Sequence, residues 1–306
     1  MIKTKEIQNY KNYGTCVALS NGLLDLYVTV DVGPRIIYLA RTGKENMMFN
    51  DIDRKTFYDV SSLYGEDAKW YIYGGHRLWA SPEEFPLTYY PDNNKVVYEY
   101  TQNGVILMPP VQEVTGQAHT IEIALSETEP KVSVTHTIKN TGDKETKIAA
   151  WGLSVMDAGG TIIAPTSTED TGFLPNRNIA LWPYTDINDP RLLWDNEFIA
   201  MKHDSTRNRK LKVSFNSKSG KIAYINHDQA FIKKYDLCDD GEYPDFNTNC
   251  AFFSCNDFTE SESLSPLKTL KKGDSLVHKE EWTLLDNVSL RAFTKKSILN
   301  LFSIFE

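Results

Sequence analysis

The sequence predicts an all-β protein: a large antiparallel β-sandwich with a short C-terminal helix. Three observations point there. Apolar and polar residues alternate over many short segments, turn residues recur between them, and almost nothing between Gly14 and Leu285 has helical spacing. Many short strands separated by regular turns, with no helices between them, form antiparallel sandwiches or barrels.

The alternation is clearest mid-chain. His119, Ile121, Ile123 and Leu125 fall on one face of a segment, and Val132, Val134, His136 and Ile138 on one face of the next. Val96, Tyr98 and Tyr100 begin a third. Period two marks a half-buried strand, because successive side chains leave a sheet on opposite sides. Turn chemistry falls between the runs at Asn21-Gly22, Asn103-Gly104, Asn140-Thr141-Gly142-Asp143, Lys218-Ser219-Gly220 and Lys272-Gly273-Asp274. These residues tolerate the positive φ of tight hairpins.

Two segments depart from the pattern. Asp51 to Tyr90 reads as a long irregular loop holding Trp70, Tyr71, Tyr73, Trp79, Tyr89 and Tyr90, and loops of that length tend to carry function. From Leu290 to Glu306, Ile298, Leu301, Phe302 and Phe305 have helical spacing after Lys295 and Lys296. An amphipathic helix is expected there, docked on its own domain, with pairing of subunits in a homodimer as the alternative.

No Pro/Ser/Gly-rich linker or block of like charge divides the chain. Residues 1–289 are therefore expected to form one domain and 290–306 a helical tail, since large sandwiches exceed the usual domain length. The net charge is −8, from 33 basic and 41 acidic residues interspersed along the chain. Such a surface repels a phosphate backbone, so nucleic acid is not an expected partner. Apolar runs are too short for a membrane span, and the first residues lack the apolar core of a signal peptide. Cys16, Cys238, Cys250 and Cys255 contain no Cys-x-x-Cys pair, and reduced thiols in the cytoplasm are expected. Glycine-rich phosphate loops, Gly-x-Ser-x-Gly elbows and paired His/Cys ligands are missing, so neither cofactor nor metal is expected. The acidic group Asp236, Asp239, Asp240, Glu242 and Asp245 lacks EF-hand spacing and reads as a solvated loop.

Four motifs, in order and spacing, resemble the galactose mutarotase-like (aldose 1-epimerase) superfamily. They are Asp31-Val32-Gly33-Pro34-Arg35-Ile36, then Gly74-Gly75-His76-Arg77-Leu78-Trp79-Ala80-Ser81-Pro82-Glu83, then Trp182-Pro183-Tyr184-Thr185-Asp186 with Asp189-Pro190-Arg191, and finally Glu260 to Leu267 with Gly273, His278, Glu281 and Trp282 following. The resemblance spans residues 14 to 285 and implies a sandwich with a carbohydrate pocket. It implies one of three roles: an aldose 1-epimerase-like isomerase of a free or modified sugar, a carbohydrate-binding protein without turnover, or a glycoside-processing enzyme. Epimerase chemistry needs a carboxylate to take the anomeric hydroxyl proton and an acid to protonate the ring oxygen.

Glu260 and Glu262 lie two apart in a strand-like run and so share a face. By its late position Glu262 resembles the epimerase base, with Glu260 beside it as a binding residue. The resembling enzymes carry an acid histidine after a central strand, but Ala150 to Asp157 contains none. His76 is the candidate acid, with Lys221 or Lys233 as the alternative proton source. Arg77 would clamp hydroxyls with its planar fork, Trp79 would stack on a sugar face, and Gly74 and Gly75 would let the backbone approach the ligand. Trp182 and Tyr184 would form a pocket wall, and Asp245 would accept a hydroxyl. His119 and His136 read as core or sheet-surface histidines, and His278 as part of a polar strand near the end of the sheet.

Overall fold

The computed structural model describes residues 1–306 and contains 23 strands. One sheet, here the front sheet, runs in spatial order Lys3–Ile7, Cys16–Ser20, Leu24–Thr29, Ile36–Arg41, Gly75–Ser81, Thr146–Met156, Thr259–Leu264, Cys250–Ser254, Leu211–Phe215 and Ile179–Leu181, with Lys268–Leu270 on the start of the sixth. The back sheet runs Leu192–Trp194, Phe198–Lys202, Thr161–Pro165, Lys221–Asn226, Gln229–Tyr235, Ser275–Asp286, Lys131–Asn140, Gln117–Leu125, Gly104–Met108 and Val97–Tyr100. Neighbours pair antiparallel, as in the central contacts of Thr146–Met156 with Gly75–Ser81 and Thr259–Leu264.

The period-two pattern explains how the sheets close on each other. Apolar faces of both sheets meet in one cluster of 41 buried residues that includes Leu26, Ile123, Val134, Phe231 and Trp282. His136 and Ile138 lie on the same face as Val132 and Val134, so His136 is carried into the interior with them and is fully buried. In water each such apolar side chain would forfeit about 1.5–3 kcal/mol of burial free energy.

Asp51 to Tyr90 is more regular than its composition predicts. Phe57–Asp59 pairs with Lys69–Tyr71 as a small hairpin around the helix Ser61–Tyr64, and Gly75–Ser81 is a central strand of the front sheet. The hairpin folds over the outer side of that sheet, where Val60, Trp70 and Ile72 pack with Trp79, Trp151, Leu153 and Phe258. Trp70, Trp79 and Tyr89 reflect this second, outer core, while Tyr71 and Tyr73 pack with Tyr13 and Ile37 in a separate small cluster.

The tail carries the short helix Lys295–Leu299, capped by the Thr294 hydroxyl, and a 3-10 turn at Phe302–Phe305. Ile298 and Phe305 pack on Ile163, Phe198, Ala200, Ala223 and Ile232 of the back sheet. The expected docking on the same chain is what the structure shows. All four cysteines are free thiols, and no helix is long and apolar enough to cross a membrane.

Candidate functional site

Three central strands of the front sheet are covered on both sides, so their alternation sorts residues between an outer cleft and the sandwich interior. On Gly75–Ser81, Arg77 and Trp79 face outward while His76 faces inward. On Thr146–Met156, Trp151 and Leu153 face out and Ser154 in. On Thr259–Leu264, Glu260 and Glu262 face out and Ser263 in. Leu211–Phe215 adds Lys212 to the outer side.

The outer cleft has a volume of about 370 Å³. Tyr58, Trp70, Trp79 and Tyr89 form one wall, Trp182 and Tyr184 the other, and Arg77, Lys212 and Glu260 bring charge into it. Such a lining, apolar faces with a few directed polar groups, is typical of small-molecule sites. Arg77 is stacked over Trp79, 4.3 Å from the ring centre, and donates to Glu260 at 3.2 Å. Its Nε and Nη1 have no partner although they are buried, and the same holds for Trp70 Nε1.

Glu262 is held from two sides through one oxygen. Trp151 Nε1 donates to Oε2 at 3.0 Å, and Lys212 Nζ pairs with the same atom at 3.0 Å. Oε1 is buried without a partner. Glu262 has no exposed surface, but Trp151 and Lys212 both line the cleft. Burial pushes its carboxyl up to about 7; Lys212 opposes the rise and Glu260 adds to it. Burial acts to lower the Lys212 ammonium, yet Glu262, Glu83 and Glu260 raise it on balance. Its Nζ also lies 4.7 Å from the Trp151 ring centre and 4.8 Å from that of Trp182.

His76 and Lys233 do not reach this cleft, which corrects the expectation that either supplies a proton there. Neighbours in a strand point to opposite sides, so Arg77 in the cleft puts His76 in the interior. His76 Nδ1 bonds the Ser154 hydroxyl at 2.8 Å and Nε2 meets His136 Nε2 at 2.7 Å. Lys233 comes from the back sheet and is fully buried, donating to Gly152 O at 3.2 Å, Ser261 O at 3.1 Å and Glu280 Oε1 at 3.1 Å. Lys221 is also remote, bonded to the Phe305 carbonyl in the tail. Gly74 and Gly75 approach backbone rather than ligand: a Cβ would stand 2.1 Å from Phe49 O and 2.2 Å from Ile36 O. Asp245 is half-buried beside the cleft rather than in its lining; burial raises its carboxyl and Lys212 counters the rise.

The interior group has a different character. His278, read as lying near the end of the sheet, is buried and bonds the Ser263 hydroxyl through Nε2 at 2.8 Å. Burial takes its pKa down to about 3. For Glu280, burial acts to raise the carboxyl, but Lys233 and the three histidines hold it well below the usual carboxylate range. His76, His136 and Glu280 have the composition of a metal-ligand set, with donor atoms within 4.8 Å of one another. Their donors are turned on each other instead: His136 Nδ1 meets the His278 carbonyl at 3.1 Å, and Glu280 takes Lys233 and Ser263 on Oε1 and Trp282 Nε1 on Oε2. In this arrangement the three side chains are held by hydrogen bonds to one another and to Lys233, Ser263 and Trp282.

Lys212 was not singled out from sequence. Its signal was a lone charge at the second position of Leu211-Lys212-Val213-Ser214-Phe215, where Leu211, Val213 and Phe215 all join the core. A long cation opposite that apolar face must find an acid or a ligand.

Neither a protein-family model nor a curated protein sequence matches the chain. Solved structures do. A galactose mutarotase-like protein from Clostridium acetobutylicum superposes with a TM-score of 0.53 at 12% identity, covering 94% of this chain and 98% of the other. The galactose 1-epimerase of Lactobacillus acidophilus gives 0.53 at 12% identity, covering 94% and 99%. The fold is galactose mutarotase-like. A TPR-domain containing protein from Parabacteroides distasonis gives 0.59 at 13% identity, with 97% of this chain matched to 57% of that one. One mutarotase-like sandwich thus recurs in differently described proteins, and chemistry has to be argued from the cleft.

Proposed function

We propose that the protein binds a sugar in the aromatic cleft and isomerises it at the anomeric carbon, as an aldose 1-epimerase does. The observation that carries this is Glu262, a buried carboxyl near pKa 7 with one oxygen anchored and the other unpartnered. Such a group exchanges protons at neutral pH, which is what general acid–base catalysis requires. Ionised Glu262 accepts the proton of the anomeric hydroxyl, and the Lys212 ammonium donates one to the ring oxygen as the bond from that oxygen to the anomeric carbon breaks. The open aldehyde turns about its neighbouring bond and closes on the other face, returning both protons. Arg77 and Glu260 hold hydroxyls, while Trp79 and Trp182 carry the apolar face of the ring. The likeness to the Lactobacillus acidophilus galactose 1-epimerase supports the reading, and four free thiols suit a reducing cytoplasm.

A second reading is binding without turnover. It is favoured by the closed position of Glu262 and by a cleft lining without histidine. Polarimetry of anomer equilibration over a panel of aldoses separates the two. Under the first, wild type accelerates equilibration of at least one sugar, and Glu262→Gln slows it roughly 10²–10⁴-fold. Calorimetric binding with no acceleration of any sugar would leave the second.

A further inference from the structure

A second cleft, of about 510 Å³, opens where the two sheets end. Ile179 and Phe215 border it from the front sheet, and Trp194 and Ile199 from the back sheet. Its floor is apolar, since Phe215 and Ile199 belong to the buried core. Its rim is rich in amides, with Asn178, Asn196 and Asn216 all in the lining.

Two of these amides are anchored in opposite senses. Asn178 spends its Nδ2 on the carbonyls of Phe246 at 2.7 Å and Asn247 at 3.2 Å, which leaves its oxygen to accept. Asn216 spends its Oδ1 on Asn249 Nδ2 at 3.2 Å, which leaves its amide nitrogen to donate. Trp194 is fixed likewise, its Nε1 donating to Ile187 O at 3.1 Å. A held acceptor, a held donor and a held indole form a neutral, pre-ordered site. Pre-ordering matters because it removes much of the entropy cost of binding.

We propose that this cleft is a second binding site, separate from the aromatic cleft, for a neutral saccharide. A sugar hydroxyl both donates and accepts, matching Asn178 and Asn216, and the ring's C–H face matches an indole. A strongly charged ligand fits less well, because both rim charges are already engaged, Asp195 by Lys295 at 2.8 Å and Arg177 by Asn176 Oδ1 and the Asn196 carbonyl. The inference does not depend on turnover in the first cleft.

The test is calorimetry and saturation-transfer NMR on the full chain with glucose, galactose, maltose and lactose. Wild type, Trp194→Ala, Asn216→Ala and, in the first cleft, Trp182→Ala are compared. The expected result is a binding event that survives Trp182→Ala, weakens roughly three- to tenfold in Asn216→Ala and is lost in Trp194→Ala. Asn216→Ala alone suffices if Trp194→Ala fails to fold. The inference is overturned if Trp182→Ala abolishes all binding, or if binding to Trp182→Ala is unchanged by adding Asn216→Ala. If the first cleft fails instead, binding is lost with Trp194 and indifferent to Trp182.

Discussion

Ionisable groups lie on both sides of the central strands of the front sheet, an inner set contributed largely by the back sheet and an outer set in the cleft, and the two are built to opposite ends. On the inner face, both ring nitrogens of His76 and His136, both oxygens of Glu280 and the ammonium of Lys233 have partners. On the outer face, Arg77 Nε and Nη1, Trp70 Nε1 and Glu262 Oε1 are buried without any. Leaving a buried polar group unpaired costs about 1–3 kcal/mol. The inner side leaves only the Ser261 hydroxyl unpaired while the outer side strands several charged and indole groups, a contrast that supports the proposal of a ligand on the outer side. Charge and burial alone would rank the inner set as the active site; partner accounting reverses that.

The largest test of the contrast is Lys233→Met. Removing one member of a fully buried pair leaves Glu280 uncompensated, so stability should fall by about 3–5 kcal/mol in denaturant titration. Lys233→Met combined with Glu280→Gln should recover most of it. A single-variant loss under about 1 kcal/mol would mean that the inner set is not a sealed pair.

The pH dependence comes next. Glu262 is raised from 4.5 to about 7 on folding, so between these values the folded state holds the extra proton. Its contribution is therefore present below pH 4.5 and declines as pH rises towards 7, by about 3 kcal/mol in all. The inner histidines act in reverse: His278, lowered from 6.5 to about 3, costs stability as pH falls. Both proteins share that slope, so the stability of wild type minus that of Glu262→Gln isolates the carboxyl. The difference should fall across this window, and a flat difference would remove Glu262 from the acid–base role.

The smallest stability effect belongs to Arg77→Met. Two of its nitrogens have no partner in the protein, which offsets part of the cost of leaving Glu260 without its cation, so stability should fall by only about 1–2 kcal/mol, less than for Lys233→Met. Sugar affinity in the aromatic cleft should nonetheless drop about tenfold or more, as read by calorimetry. A large stability loss with unchanged affinity would make Arg77 a structural residue like Lys233.

Much of the fold was legible because strand alternation is a local property. Glu260 and Glu262 were placed on one face by period two alone, and their partners Arg77 and Lys212 confirm the shared face. The same rule would have separated His76 from Arg77 had residues 75–81 been read as a strand. Aromatics flanking that segment concealed it, because the outer core contributed by the Phe57–Asp59 hairpin makes both faces of Gly75–Ser81 buried and blurs the alternation. Which carboxylates meet which cations was not legible. Lys212 and Glu262 are brought together by sheet order across 50 residues of sequence, and Lys233 reaches Glu280 by the adjacency of their strands. Gly152 shows how tight that pairing is, since a Cβ there would stand 2.4 Å from Glu280 Oε1.

The docked tail has a consequence for how the chain is made. Ile163, Phe198, Ala200, Ala223 and Ile232 are synthesised well before Ile298 and Phe305, the residues that cover them. Until Ile298 and Phe305 have emerged, the back sheet presents a sticky outer surface to its surroundings, and such surfaces favour aggregation. The docked turns of Lys295–Leu299 and Phe302–Phe305 thus act as a late-arriving cover on the nascent sandwich, and the exposure of that surface is timed by translation itself.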